Sequence, residues 1–213
     1  MAYLTVSQFK EALANNPLAA IVEQHVFTGL PYVFRDEPAS NDLLVGQLSE
    51  ALKVAKEDIV VVGSAKIGFS LNPEHFPRGF SDTSDIDVIV VSKDLFDKVW
   101  MIFLEWHYPR RGMNLGRIEG DWMRKRRGEI CWGWLVPDEI HYDGFLSFPN
   151  VLRPLRDIST KWFNTFQSLS LYPELAVHRV SGRLYRTWNH ALRYHTDGLR
   201  RIRDSISVGQ KGA

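Results

Sequence analysis

Asp85 and Asp87 stand either side of one residue at the head of an apolar run, Ile86, Val88, Ile89, Val90 and Val91. Successive strand side chains alternate between faces, so the two carboxylates project from one side of a strand, roughly 6.5–7 Å apart along it. A carboxylate pair so placed can share divalent metal. Metals held about 3.5–4 Å apart clamp the attacking and leaving oxygens of a phosphoryl displacement. A calcium loop is a poor match, because Ile89 and Val90 stand where its further acidic or amide residue and its glycine would have to be. In aspartyl-phosphate enzymes and many glycosyltransferases an Asp-x-Asp closes a hydrophobic strand. Here the polar Ser81-Asp82-Thr83-Ser84 comes first and the apolar run follows. The plain alternative is a turn residue beside a surface carboxylate.

A second element decides between these. Ile59 to Val62 is a short β-branched run, read as a buried strand, and it ends in Gly63-Ser64. Glycine lets the backbone turn sharply and approach a ligand with no side chain in the way. Ser64 adds a hydroxyl and nearby backbone N–H groups, a nest of donors suited to a triphosphate. Neither a Walker loop nor a G-x-G-x-x-G fingerprint is present.

The order strand, Gly63-Ser64, spacer, Asp85-Ile86-Asp87-Val88 resembles the signature of the nucleotidyltransferase superfamily that has the DNA polymerase β palm fold, over about residues 57 to 108. Its members include CCA-adding enzymes, aminoglycoside nucleotidyltransferases, cyclic-oligonucleotide synthases and minimal toxins. The resemblance implies an α+β fold: a small mixed sheet with helices, flanked by N-terminal helices and a C-terminal helical region. Residues 1–55, 56–150 and 151–213 are the corresponding segments of one compact unit. It further implies that Asp85 and Asp87 are catalytic and hold Mg²⁺ or Mn²⁺, and that Gly63, Ser64, Lys66, Ser84 and Arg183 bind the nucleotide. A third carboxylate on a later strand would complete the metal site. Glu129, Asp138 and Asp143 are the candidates, and Glu129 is favoured because it heads an apolar Glu-Ile-Cys-Trp-Gly-Trp-Leu run expected to be a strand.

The implied activity is transfer of a nucleoside monophosphate from an NTP to RNA, a second nucleotide or another hydroxyl or phosphate acceptor, in settings that include bacterial toxins and phage defence. The competing reading is a catalytically inactive nucleotide-binding or sensing module that works with a protein partner. It draws on the unassigned third carboxylate and on the long spacer, whose insertion Leu71 to Pro77 either covers the nucleotide or is a surface loop.

Composition is that of an ordinary globular chain: 213 residues, 24% charged, formal net charge +1. So small a net charge restrains any nucleic-acid role. Cys131 is the only cysteine, which excludes an internal disulfide. No secretory h-region follows Met1 and no apolar stretch approaches the roughly 20 residues of a membrane span, so a cytoplasmic location with no membrane partner is expected.

The elements that must position the acid pair are helical around it. Thr5 is expected to start a helix that stops at Asn15-Asn16-Pro17, and Leu18 to about Phe27 forms a second. Ser40, Asn41 or Asp42 caps a third, and Ser92 caps a helix carrying Leu95, Phe96, Val99, Ile102, Phe103 and Trp106. Residues 110 to 127, with Arg110, Arg111, Arg117, Arg124, Lys125, Arg126 and Arg127 among glycines, read as a basic loop able to grip phosphates, with Trp122 available to stack on a base. A final helix from about Val180 to Ile206 carries a stripe of Arg179, Arg183, Arg186, His190, Arg193 and Arg200. His75, His107 and His141 show no metal-ligand spacing and read as structural or loop residues.

Overall fold

The β-branched run Ile59–Val62 and the run Ile86–Val91 lose side-chain freedom in a helix and pack well on a pleated surface. They form the first two strands, β1 and β2. In the computed structural model, which describes residues 3–140, 150–175 and 178–211, they join β3 (Trp134–Leu135) and β4 (Val180–Tyr185). The result is one mixed sheet of order β1-β2-β4-β3. β1 runs antiparallel to β2, β2 parallel to β4, and β3 antiparallel to β4. The protein is an α+β fold. β2 is central and buried along its length except at Asp87, as expected of a strand covered on both faces.

Side-chain alternation splits the sheet into two cores. One face presents Ile59, Val61, Ile86, Val88, Val90, Val180 and Leu184 to α3 (Pro38–Leu52), α5 (Lys93–His107), α6 (Arg117–Trp132) and α7 (Arg153–Ser168). The other presents Val62, Ile89, Val91 and Tyr185 to α1 (Val6–Asn15), α2 (Leu18–Ile21) and α8 (Trp188–Lys211). Gly182 lets α7 approach β4 closely: a Cβ there would lie 2.1 Å from the Phe166 ring.

Local signals account for most of these helices. Thr5 caps α1 in a reciprocal box with Gln8, and the helix ends before Asn16-Pro17. α2 continues into a π-helical stretch, Val22–Phe27, so the expected second helix is present in two forms. α3 starts at Pro38, ahead of Ser40, because a fixed proline φ suits the first helical position. The Ser92 hydroxyl accepts the Leu95 N–H and starts α5. α8 is tied down at its head, where Trp188 Nε1 donates to Asp58 Oδ1 at 2.9 Å and the neighbouring Arg186 Nε donates to Asp97 Oδ1 at 2.7 Å.

Three expectations are corrected. Most of the basic stretch is helical rather than a loop, since Arg117–Trp132 forms α6. Glu129 to Leu135 is not one strand. It is the end of α6, a left-handed turn at Gly133 with φ 72°, and the two residues of β3. The final helix begins at Trp188, and the residues before it, Val180–Tyr185, are β4. Arg183 is therefore a strand residue.

α8 carries a buried base. The ring of His195 packs on Phe27 (5.4 Å) and Tyr185 (6.2 Å). Burial, then the charge of Arg183, push its pKa down to about 4. A base held neutral by the fold costs stability once the pH falls below its ordinary value of 6.5, and the loss grows until the folded-state pKa is passed. Between pH 7 and pH 5 the wild type should lose about 1–2 kcal/mol more than His195→Gln, measured by urea unfolding at each pH. Equal pH slopes in the two proteins would contradict the assignment.

Candidate functional site

β1 and β2 place Val62 opposite Asp87, so the turn that follows β1 sits against the acid pair. The turn opens α4 (Gly63–Ile67) with Gly63 at φ 68°, a left-handed conformation that side chains other than glycine rarely adopt. A Cβ on Gly63 would lie 2.9 Å from Asp87 Oδ2. On the other side β4 sets Ser181 directly opposite Asp87. Its hydroxyl donates to Asp87 Oδ1 at 3.2 Å. The Asp87 carboxylate therefore bridges two strands, one oxygen facing the Gly63 turn and the other held by Ser181.

Asp87 is open to solvent yet closely ringed by protein. That crowding raises its pKa, the Ser181 hydrogen bond pulls it down, the charge of Asp85 raises it and that of Arg183 lowers it. Asp85 is exposed, one residue ahead of β2, and fully buried Ile86 separates the two acids. A crowded carboxylate beside a second negative charge favours a cation at Asp87.

The remaining expected site residues divide. Ser64 is half-buried in the first turn of α4, and its carbonyl accepts the Gly68 N–H at 2.8 Å. Ser84 closes a turn with Ser81: its N–H donates to the Ser81 carbonyl at 2.8 Å, its hydroxyl accepts the Ser81 N–H at 3.1 Å, and its own carbonyl lies 2.8 Å from His178 Nδ1. It thus fixes the turn that presents Asp85. Lys66 is only 3% exposed and its ammonium donates to the Gly29 carbonyl. Burial lowers its pKa to about 8. It fastens α4 to the N-terminal region and is not placed to meet a phosphate. Arg183, opposite Ile89 on β4, lies between the rings of Trp134 (4.8 Å) and Tyr194 (4.7 Å).

The third carboxylate is not where it was expected. Glu129 lies inside α6, 5% exposed, with its Oε2 2.7 Å from Nη1 of Arg126, which is 4% exposed. Burial raises its pKa against the pull of Arg126. It is a helix residue spent on an ion pair. Asp138 sits in the short turn Pro137–Glu139, whose Asp138 carbonyl accepts the Ser159 hydroxyl at 3.1 Å. Asp143, like His141, lies outside the described residues. Among the described residues no three His, Cys, Asp or Glu side chains gather into a metal-holding group. Removing one member of a buried ion pair strands the other charge, so Glu129→Ala should cost about 3–5 kcal/mol of stability. Divalent-metal binding by the fraction that stays folded should not change, as read by denaturant titration and Mn²⁺ paramagnetic relaxation.

The insertion before the acid pair packs on α1. Phe69 pairs with Gly79, and Phe69 and Phe76 pack on Phe9 of α1 with centroids 5.3 and 6.4 Å away. Ser181 was not among the residues expected at the site. Its signal is a period-two pattern in Val180-Ser-Gly-Arg-Leu-Tyr185 that puts Ser181, Arg183 and Tyr185 on one face.

Comparison of the chain with protein-family models, curated proteins and solved structures returned no match. Among the described residues no helix is long and apolar enough to cross a membrane.

Proposed function

We propose that the site around Asp85 and Asp87 binds a nucleoside triphosphate with Mg²⁺ and transfers its nucleoside monophosphate to an acceptor. The observation that carries this reading is the juxtaposition of Gly63 with Asp87. A strand ending in a positive-φ glycine lies antiparallel to the strand that begins with the acid pair, and the glycine leaves open the space beside Asp87 Oδ2. The same order of strand, turn, strand and helix supports a polymerase β-like palm.

Each residue then has a role. Asp85 and Asp87 would hold the cation, which fits their mutual charge and the accessibility of both carboxylates. When bound, Mg²⁺ supplies charge neutralisation on the triphosphate and lowers the pKa of an acceptor hydroxyl. Gly63 and Ser64 let the triphosphate approach the acid pair at the β1 turn. Ser181 orients Asp87. An acceptor oxygen attacks the α-phosphorus, the bond from that phosphorus to the bridging oxygen breaks, and pyrophosphate leaves with the electron pair.

The second reading, a nucleotide-binding module without turnover, is favoured by one observation. Directly opposite Asp87 on the neighbouring strand stands a hydroxyl, Ser181, and β4 contains no carboxylate. The two are separated by incubating the protein with each α-³²P-labelled NTP and Mg²⁺ or Mn²⁺, with and without total RNA, beside an Asp85→Ala/Asp87→Ala control. Label in RNA, protein or a new small product that depends on the acid pair supports transfer. NTP binding with no transferred label supports the second reading.

A further inference from the structure

We propose that Arg183 is a positioning charge for the acid pair, a fixed guanidinium beside Asp87 that opposes a bare divalent cation, so that the metal enters the site together with the triphosphate. The inference rests on the nucleotide reading and names the order in which that site fills.

The sheet register places this charge. Ser181 stands opposite Asp87 and Arg183 opposite Ile89, so Arg183 lies two residues farther along β4, on the face that carries Asp87. That step is roughly 6.5–7 Å. The guanidinium packs against the rings of Trp134 (4.8 Å) and Tyr194 (4.7 Å) and faces the Tyr185 and Tyr194 hydroxyls. A side chain pinned in this way acts on a bound ion through its field rather than by contact.

The neighbouring charges leave Arg183 with Asp87. Two other carboxylates face it, Glu129 and Glu139. Each has a cation of its own: Glu129 Oε2 lies 2.7 Å from Arg126 Nη1, and Glu139 Oε2 lies 2.8 Å from Lys125 Nζ. His195 is neutral at pH 7, since burial, then the charge of Arg183, push its pKa down to about 4. Burial keeps the Tyr185 hydroxyl protonated. Arg179 is exposed, where water and salt screen its charge. The charge of Arg183 is therefore felt at Asp87, where it acts against that of Asp85.

The consequence follows from sign. A guanidinium at this range attracts a triphosphate and repels a divalent cation. Two carboxylates offset by one guanidinium leave a single net negative charge, a weak hold on Mg²⁺, which gives up its water reluctantly. A triphosphate brings the missing negative charge, and the metal is then held from both sides.

The test uses the full chain at pH 7 and follows Mn²⁺ by paramagnetic relaxation, first alone and then as its preformed complex with non-hydrolysable α,β-methylene ATP. The wild type should bind the complex at least about ten-fold more tightly than Mn²⁺ alone. Arg183→Gln removes the charge and keeps a polar group for the two hydroxyls. It should bind Mn²⁺ alone about ten-fold more tightly than wild type and the complex no more tightly, so the preference for the complex collapses. Arg183→Lys keeps the charge and should stay within about three-fold of wild type for both probes. If circular dichroism shows Arg183→Gln unfolded, Arg183→Met, whose apolar stem suits the same rings, makes the comparison instead. Unchanged affinity for Mn²⁺ alone in the neutral variant overturns the inference. So does a shift in Arg183→Lys as large as that in Arg183→Gln, which would mark a packing role. Failure of the wild type to bind the Mn²⁺ complex counts against the nucleotide reading alone, and the comparison with Mn²⁺ by itself still decides the role of the charge.

Discussion

Asp87→Asn is expected to abolish nucleotide transfer, by at least about a thousand-fold, while leaving the protein folded and more stable at neutral pH. The substitution keeps shape: an amide oxygen can still accept the Ser181 hydroxyl hydrogen bond seen at 3.2 Å. It removes the negative charge that a divalent cation needs. Stability moves the other way because crowding raises the pKa of Asp87 in the fold. A carboxyl whose folded-state pKa lies above its unfolded value costs stability wherever it is ionised, and the cost disappears as the pH falls below the unfolded value near 3.8. Asp87→Asn should therefore unfold at a higher temperature than wild type at pH 7, and the gap should close toward pH 3. Wild-type transfer by the variant would sink the metal assignment. A variant less stable at pH 7 would show that Asp87 serves the fold rather than a ligand.

How far these features were legible depends on which physical signals stood alone. The acid pair and the glycine turn were readable because each is set in an apolar, β-branched run too short for a helix, and helix caps at Thr5 and Ser92 marked the neighbouring boundaries. Residues 180 to 206 misled because Val180, Leu184 and Trp188 are four apart, a spacing that serves a helix face and, being even, one face of a strand as well. Only the pairing with β2 decides between the two. Glu129 misled for a different reason. Its run of apolar neighbours suggested a buried strand, yet Trp132 in that run is 71% exposed and Glu129 itself is inside. A buried ion pair between Arg126 and Glu129 is three residues apart, the spacing of one helical turn, and that pattern was present in the sequence. Ser181 could not be assigned without the register, since a serine between valine and glycine carries no chemical signature until a carboxylate is placed opposite it.

Gly63→Ala carries the second large effect and separates site from fold. The methyl group would arrive 2.9 Å from Asp87 Oδ2, closer than real side chains stand, and the next nearest atoms, at 3.7 Å, also belong to the Asp87 side chain. The carboxylate at the end of a short side chain can swing aside, so the steric cost to folding is small, and the positive φ adds about 1 kcal/mol. The swing, however, takes away the oxygen that faces the Gly63 turn and strains the Ser181 hydrogen bond on the other. Affinity for α,β-methylene ATP with Mg²⁺ should therefore fall by about a hundred-fold, with a loss of stability near 1 kcal/mol. Gly133→Ala makes the opposite case. Its φ of 72° is similar, but its Cβ would lie 2.1 Å from the ring of His190, so the strain falls on the joint between α6 and α8 rather than on the acid pair. That variant should lose more stability than Gly63→Ala and bind the nucleotide analogue like wild type wherever it remains folded. If Gly63→Ala bound the analogue normally, the opening beside Asp87 would be a packing feature, and the glycine turn would lose its claim to the triphosphate.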